Sequence, residues 1–254
     1  MSNKPIAVFD SGVGGISVLR ELYRLMPNEN YIYYGDSANA PYGSREVSDV
    51  LALSKGITDK LIALGAKAVV IACNTATSVA AEFLRERYKD FIIIGVEPAL
   101  KPAVLAKENS TVAVMATPIT LREEKFKKLM ASFNDKAKII PVPCEKLAGM
   151  IEKGVLSGTK LEEYIKELFT PLGKIDSVVL GCTHYPFIKD SIRKVLGDVS
   201  VFDGGEGTAR ETKRRLSESS LLSKRSEKGE VLFINSKDSK EEIDFCKRLF
   251  EYGR

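Results

Sequence analysis

Two stretches decide how this chain folds: VVIACNT at residues 69–75 and VVLGCTH at residues 178–184. Each is a run of aliphatic residues that ends at a cysteine, and small polar residues follow that cysteine. An apolar run of this length is typical of a parallel strand that is buried on both faces. Open α/β sheets bind their ligands just past the carboxyl ends of such strands. The two stretches therefore predict two buried strands, each with a thiol at its ligand-binding end.

Strands and helices alternate in the sequence on either side of these stretches. Further strands are predicted at residues 6–9, 31–34, 91–94, 112–117, 199–203 and 231–234. Helices are predicted before Pro27, at residues 45–64, 75–88, 119–132, 145–153, 159–169 and 206–216, and from residue 239. This alternation indicates mostly parallel sheets with right-handed crossovers.

The pattern of elements restarts near the middle of the chain. Residues 112–117 can be laid over residues 6–11 with an offset of 106, and Cys182 follows Cys73 by 109. Two such similar offsets favour an internally repeated α/β unit. We therefore predict an α/β protein of two pseudo-symmetric domains with mostly parallel sheets, whose strand ends enclose an active site in the cleft between them.

Composition excludes several classes of protein. The 254 residues are 44% apolar and carry a net charge of +4, and no apolar run is long enough to span a membrane. The basic residues 213–215 are interpreted as a solvated helix face, so no specific nucleic acid partner is predicted. The amino terminus has no signal-peptide pattern, which predicts a cytoplasmic protein with reduced thiols. The four cysteines show no CxxC spacing.

Two thiols that face one substrate can carry out acid–base chemistry. A thiolate can remove a proton from one face of a carbon while a thiol supplies a proton to the opposite face, which inverts a stereocentre without a cofactor. Cys73 and Cys182 are the candidates for this pair because polar residues follow both. Sulfur atoms that flank a carbon are too far apart to form an S–S bond of ~2.05 Å. Cys144 and Cys246 are interpreted as small buried apolar residues.

Polar groups near the two cysteines supply the rest of the candidate site. His184, the one histidine in the sequence, can tune the nearby thiol or transfer a proton. Asp10 either caps the following helix or assists a nearby group, and both interpretations stay open. The groups that could hold an α-carboxylate are the glycine-rich N–H groups and the side chains of Ser11, Asn74, Thr75 and Thr183.

Three other functions compete with this interpretation. Residues 12–17 with Asp36 resemble part of a dinucleotide fingerprint but lack its third glycine. A zinc site from Cys73, Cys182, His184 and a further ligand would have no local ligand spacing. A two-lobed amino-acid-binding protein would share the architecture, although it would not need two thiols.

Five motifs, taken together, resemble those of bacterial glutamate racemases in the aspartate/glutamate racemase family. They are DSGVGG at 10–15, YGDS at 34–37 with PYG at 41–43, ACNTA at 72–76, GVEP at 95–98 and GCTHYP at 181–186. The resemblance runs in order from residue 6 to about residue 210. Aspartate racemases typically have glutamate where His184 stands, so the resemblance favours glutamate over aspartate, which stays the alternative substrate.

The resemblance implies a fold and an activity. The activity is interconversion of L- and D-glutamate without cofactor or metal, supplying D-glutamate for peptidoglycan. The implied domains are residues 1–97 with 207–254, and residues 98–206. A homodimer is left open.

The resemblance also implies roles for individual residues. Cys73 and Cys182 would be the acid–base thiols, with Asp10 beside the first and His184 beside the second. The implied substrate-binding residues are Asp10, Ser11, Tyr42, Gly43, Asn74, Thr75, Thr117, Thr183 and His184. Asp36 and Glu152 match acidic positions of the family, with secondary roles.

Overall fold

The computed structural model describes residues 3–252 in two compact units. The first unit holds the described residues up to Glu97 and from Gly205 onward, and the second unit holds Pro98–Gly204. Residues 1–2 and 253–254, which belong to the predicted first domain, lie outside the described residues. The first two also belong to the amino-terminal stretch in which no signal-peptide pattern was found. The assignment of the units as the two predicted domains stays a prediction.

Nine strands are found in the described part of the chain. They are β1 (Ile6–Asp10), β2 (Tyr31–Gly35), β3 (Ala68–Ile71), β4 (Ile92–Gly95), β5 (Thr111–Ala116), β6 (Lys138–Pro143), β7 (Ser177–Leu180), β8 (Ser200–Asp203) and β9 (Val231–Asn235).

The same described residues form eleven α-helices. They are α1 (Ile16–Leu25), α2 (Val47–Ala63), α3 (Asn74–Arg87), α4 (Leu100–Leu105), α5 (Pro118–Arg122), α6 (Glu124–Ala131), α7 (Leu147–Glu152), α8 (Thr159–Phe169), α9 (Lys189–Leu196), α10 (Gly205–Glu218) and α11 (Lys240–Glu251). None of these helices is long and apolar enough to cross a membrane.

All strand pairs in both sheets are parallel, which confirms the predicted fold class. The first sheet has the order β4-β3-β1-β2-β9, and the second has the order β6-β5-β7-β8. When the second sheet is read from its other end, its order β8-β7-β5-β6 matches β4-β3-β1-β2. Both units therefore repeat one four-strand order, in which β5 matches β1 and β7 matches β3. These are the pairs that the sequence offsets predict.

The first unit gains a fifth strand from the end of the chain. Strand β9 pairs with β2, with Tyr33 beside Phe233 and Gly35 beside Asn235 in the register. The helices α10 and α11 both pack against α1. The carboxyl-terminal segment is therefore a structural part of the first unit.

Strands β1, β2 and β3 of the first unit are buried on both faces, as their continuous apolar sequences predict, whereas Leu232 of the edge strand β9 is exposed. Ala7 and Phe9 of β1 pack in a core with residues of α2 and α3, and Ile6 and Val8 are equally buried on the opposite face. Strand β1 lies at the centre of the sheet, so its carboxyl end at Asp10 is surrounded by neighbouring strand ends.

The sequence prediction differs from the structure at four elements of the second unit. Strand β6 was not predicted, because Pro141 and Pro143 interrupt its apolar pattern; proline is tolerated here because β6 is an edge strand. The single helix predicted at 119–132 is two helices, α5 and α6, because the backbone at Glu123 is extended (φ −63°, ψ 132°). The short helix α4 and the helix α9 were also not predicted.

Candidate active site

Cys73 lies between strand β3 and helix α3, at the N-cap of the helix. Its Sγ accepts a hydrogen bond from the backbone N–H of Ala76 at 3.5 Å and lies 3.7 Å from the Oγ of Ser11. The helix N-terminus carries a partial positive charge, which favours negative charge on the sulfur. The geometry therefore supports Cys73 in its thiolate form.

Asp10 and Ser11 follow the central strand of the first sheet. The Oδ1 of Asp10 accepts a hydrogen bond from the backbone N–H of Gly12 at 2.9 Å, and the side chain is fully buried. A Cβ atom on Gly15 would lie 2.6 Å from the Cβ of Asp10 and 2.9 Å from that of Ala72. Gly15 therefore lets helix α1 begin directly against the ends of β1 and β3, where Asp10 and Cys73 are held.

The loop after β2 brings Asp36 and Tyr42 together. The Tyr42 hydroxyl donates to the Oδ2 of Asp36 at 2.6 Å, and the Asn39 amide donates to both carboxylate oxygens at 3.1 and 3.2 Å. Burial, reinforced by the carboxylate of Asp36, raises the pKa of Tyr42. The charges of Cys73 and Asp10 raise it further, which places Tyr42 close to both groups. Asp36 therefore fixes Tyr42, and Gly43 follows in the same 3₁₀ turn.

Asn74 and Thr75 form the first turn of helix α3. Both side chains are buried, and the Oδ1 of Asn74 has no hydrogen-bond partner within residues 3–252. A buried acceptor of this kind is costly unless a donor reaches it. The Oδ1 of Asn74 is therefore a candidate acceptor for a ligand N–H group. Cys73, Asp10, Ser11, Asp36 and the loop and helix residues near them form the first cysteine cluster.

The second cysteine cluster begins at the end of β7. The Sγ of Cys182 lies 3.5 Å from the Nδ1 of His184, and the Nε2 of His184 lies 2.6 Å from the Oε1 of Glu152. The side chain of Glu152 is 15% exposed and that of His184 only 4%. These three residues form one chain of contacts from carboxylate to imidazole to thiol.

Two opposing effects set the pKa of His184. Burial of the ring lowers the pKa, but the neighbouring sulfur of Cys182 and the carboxylate of Glu152 raise it, and together they hold the pKa of His184 well above its usual value. These contacts therefore favour the protonated form of the imidazole. An imidazolium next to a sulfur stabilises the thiolate and can return a proton to it.

Thr117 and Thr183 complete the second cluster. The Oγ1 of Thr117 lies 2.9 Å from the Oγ1 of Thr120, and both side chains are buried at the start of α5. Thr183 lies between Cys182 and His184 and is also buried. Sequence reasoning missed Thr120; the signal for it was a second hydroxyl one turn after Thr117, at the strand end that matches Ser11.

The structure separates the four cysteines into two kinds. None of the four forms a disulfide bond. Cys144 and Cys246 are 1% exposed, as predicted for apolar residues, and burial raises the pKa of the Cys144 thiol. Cys73 and Cys182 have polar partners at strand ends.

Each predicted site residue lies in one of the two clusters. The first unit places Asp10, Ser11, Asp36, Tyr42, Gly43, Cys73, Asn74 and Thr75 at or beyond the carboxyl ends of its strands, and the second unit does the same for Thr117, Cys182, Thr183 and His184. Glu152 ends helix α7 and reaches His184. Within residues 3–252 no group of three or more His, Cys, Asp or Glu side chains could hold a metal ion.

Residues 14–212 match the sequence profile of the family described as Asp/Glu/Hydantoin racemase. The chain belongs to this racemase family. A glutamate racemase of Clostridium botulinum (strain Alaska E43 / Type E3) is 50% identical over 252 residues, which cover 98% of each chain.

Solved structures of the racemase family agree with this membership. The crystal structure of glutamate racemase from Francisella tularensis in complex with D-glutamate has a TM-score of 0.84 and 32% identity, and the match covers 98% of this chain and 94% of that one. Escherichia coli glutamate racemase in complex with L-glutamate and the activator UDP-MurNAc-ala has a TM-score of 0.83 and 28% identity, with 97% and 95% covered.

Proposed function

We propose that this protein is a cofactor-independent glutamate racemase that interconverts L- and D-glutamate with two thiols. The observation that carries the proposal is the repeated placement of a free cysteine after β3 and after β7, each with its own proton-handling partners. The 50% identical relative is a glutamate racemase, and related structures hold D-glutamate or L-glutamate, which supports glutamate in both configurations as the substrate.

The proposed reaction moves one proton at each face of the α-carbon. In one direction the thiolate of one cysteine removes the α-proton, and the thiol of the other delivers a proton to the opposite face. In the reverse direction the two cysteines exchange roles. Cys73 and Cys182 therefore each serve as base for one enantiomer and as acid for the other.

Other groups in the two clusters hold the substrate and assist the thiols. Asp10 and Ser11 support Cys73, and His184 with Glu152 supports Cys182. The substrate-binding groups that we propose are Asp10, Ser11, Tyr42, Gly43, Asn74, Thr75, Thr117, Thr120, Thr183 and His184. Hydrogen bonds to the α-carboxylate stabilise the negative charge that grows when the α-proton leaves.

The proposed product, D-glutamate, indicates the cellular role of the protein. D-Glutamate is a component of peptidoglycan, so the protein would act in cell-wall synthesis and cell shape. We place it in the cytoplasm, where its thiols stay reduced.

Racemisation in deuterium oxide tests this proposal. We expect each enantiomer of glutamate, in early turnover and without added cofactor, to give a product that contains solvent deuterium while the remaining substrate does not. The measurement is mass spectrometry of the separated enantiomers. Equal labelling of both pools from the start would contradict two separate bases, and faster turnover of aspartate than of glutamate would reassign the substrate.

Replacing Glu152 by glutamine should shift the pH dependence of the reaction. The carboxylate raises the pKa of His184, so its loss should lower that pKa. We expect the alkaline limb of the kcat profile to move toward lower pH and kcat at pH 8 to fall below that of wild type. The exposed Glu163→Gln on the same unit is the control and should leave the profile unchanged.

The titration of His184 should also make the free energy of unfolding depend on pH. The pKa of His184 is raised in the folded state, so its contribution to the free energy of unfolding is complete below pH 6.5 and is lost as pH rises through the folded pKa. Urea unfolding should therefore show wild type losing its advantage over Glu152→Gln as pH rises. An advantage that stays constant from pH 6 to pH 9 would contradict this.

A further inference from the structure

The end of strand β9 contacts the loop that carries three of the proposed site residues. This loop, residues 36–43, contains Asp36, Tyr42 and Gly43. Asn235 and Ser236, at the end of β9, lie outside residues 14–212 that match the racemase family. None of the sequence motifs includes Asn235 or Ser236, so none predicts their contacts with the loop.

Both the nitrogen and the oxygen of the Asn235 carboxamide form hydrogen bonds. The Nδ2 group donates to the Oγ of Ser37 at 2.9 Å, and the Oδ1 atom accepts from the backbone N–H of Lys237 at 2.9 Å. The side chain is 5% exposed. A buried amide with two hydrogen bonds has one allowed orientation, so it holds Ser37 in one place.

Ser236 adds two more bonds to the same segment. Its backbone N–H donates to the carbonyl of Gly35 at 2.9 Å, and its Oγ accepts from the backbone N–H of Ala38 at 2.9 Å. Together with Asn235 it therefore holds Gly35, which precedes the loop, and the loop residues Ser37 and Ala38.

Gly35 makes this approach possible. A Cβ atom at residue 35 would lie 2.7 Å from the carbonyl oxygen of Gly12 and 3.1 Å from the Nδ2 of Asn235. The absence of a side chain at Gly35 therefore lets the glycine-rich turn and the end of β9 both approach the end of β2, directly before the loop.

The contacts of Asn235 and Ser236 with the loop also affect where Tyr42 lies. Asp36 lies between Gly35 and Ser37, and its backbone N–H donates to the carbonyl of Asp10 at 2.9 Å. Its carboxylate accepts the Tyr42 hydroxyl at 2.6 Å. The residues that hold the backbone on either side of Asp36 therefore also set where Tyr42 lies.

We propose that Asn235 and Ser236 are positioning residues for substrate binding, acting through Ser37 and Asp36 on Tyr42 and Gly43. This rests on the proposed function only in assigning the loop to glutamate. The loop would contact the substrate in the ground state and the transition state alike, so its misplacement raises KM more than it lowers kcat.

The test uses Asn235→Ala, Ser37→Ala and the double variant. Each removes the same hydrogen bond, so we expect each to raise KM for both enantiomers about tenfold with less than a threefold change in kcat. The double variant should raise KM no further than the larger single effect, because two residues in one hydrogen bond are not additive. Ser236→Ala should raise KM in the same direction, and it replaces Asn235→Ala if that variant fails to fold.

Amide hydrogen exchange gives a readout that does not depend on activity. We expect Asn235→Ala to accelerate exchange at Ala38 and Asn39 while β9 and α11 keep wild-type rates. Ser239→Ala is the control: it removes the N-cap bond to Glu242 at the start of α11, so it should loosen that helix without changing KM.

The outcomes separate this inference from the proposed function. A wild-type protein without racemase activity overturns the proposed function, and exchange at Ala38 and Asn39 still decides whether β9 holds the loop. An active wild type with unchanged KM in Asn235→Ala and Ser236→Ala overturns the positioning role. Exchange that rises equally in the loop, β9 and α11 would also overturn it, because it would show a role in stability alone.

Discussion

Replacing Cys73 or Cys182 by alanine is expected to lower kcat for racemisation in both directions by at least about 10³-fold. The reason is that, in the proposed mechanism, each direction uses one thiol as base and the other as acid, so neither direction should survive the loss of one sulfur. Polarimetry or chiral chromatography with each enantiomer of glutamate measures the effect. Removal of one sulfur atom from a strand end should leave the folded state intact, as circular dichroism would show.

The single-cysteine variants should also reveal which thiol acts on which enantiomer. A variant that keeps one thiol can still remove the α-proton from the enantiomer that this thiol faces and return a solvent proton to the same face. We therefore expect slow deuterium exchange without inversion, of one enantiomer in Cys73→Ala and of the opposite one in Cys182→Ala. Exchange of the same enantiomer in both variants would contradict the assignment.

Cys144 and Cys246 provide matched controls. Both thiols are buried, and burial raises the pKa of Cys144, so neither is suited to acid–base chemistry. Cys144→Ala and Cys246→Ala should therefore keep kcat within about threefold of wild type. Wild-type turnover in Cys73→Ala or Cys182→Ala would rule out the two-thiol mechanism.

The two proposed acid–base cysteines have different surroundings. Cys73 sits at a helix N-terminus with the hydroxyl of Ser11 beside it, so fixed dipoles act on its sulfur. Cys182 faces an ionisable imidazole that is itself paired with Glu152. The second arrangement contains an imidazole whose pKa is raised by these neighbours, so we expect alkaline pH to slow proton transfer at Cys182 more than at Cys73.

The repeated fold was predictable from the sequence because it depends on local patterns. The offsets of 106 and 109 pair β1 with β5 and β3 with β7, and the sheets show these strands in matching places. Strand β6 was not predictable by the same means, because its two prolines are tolerated only at a sheet edge, and sheet order is a property of the whole unit.

The parts of the site that follow strand ends were also predictable. Cys73, Cys182 and His184 follow continuous apolar runs, so the sequence alone indicates them. The resemblance named Glu152 with a secondary role, but its contact with His184 was not predictable, since the two residues lie 32 positions apart in the sequence. Asn235 was missed for the same reason: its contact with Ser37 spans 198 residues and belongs to no motif.

A buried ion pair lies next to the first cysteine strand in the first unit. The Nζ of Lys67, one residue before β3, lies 2.5 Å from the Oε2 of Glu29, and the two side chains are 2% and 3% exposed. Lys67 also donates to the carbonyl of Leu221 at 2.8 Å, and Glu29 accepts from the N–H of Ser223 at 2.7 Å. The pair therefore ties the segment after α10 to the amino-terminal strands.

Lys67→Ala is expected to lower the free energy of unfolding by about 3–5 kcal/mol, because it leaves the carboxylate of Glu29 buried without its cation. Urea unfolding at pH 7 measures the loss. Lys55→Ala, which breaks an exposed pair with Asp59 in the same unit, should cost less than about 1 kcal/mol. The double variant Lys67→Met/Glu29→Leu should recover much of the lost free energy of unfolding, since no unpaired charge remains. If the double variant loses as much free energy as the two single variants together, the two charges do not act as a pair.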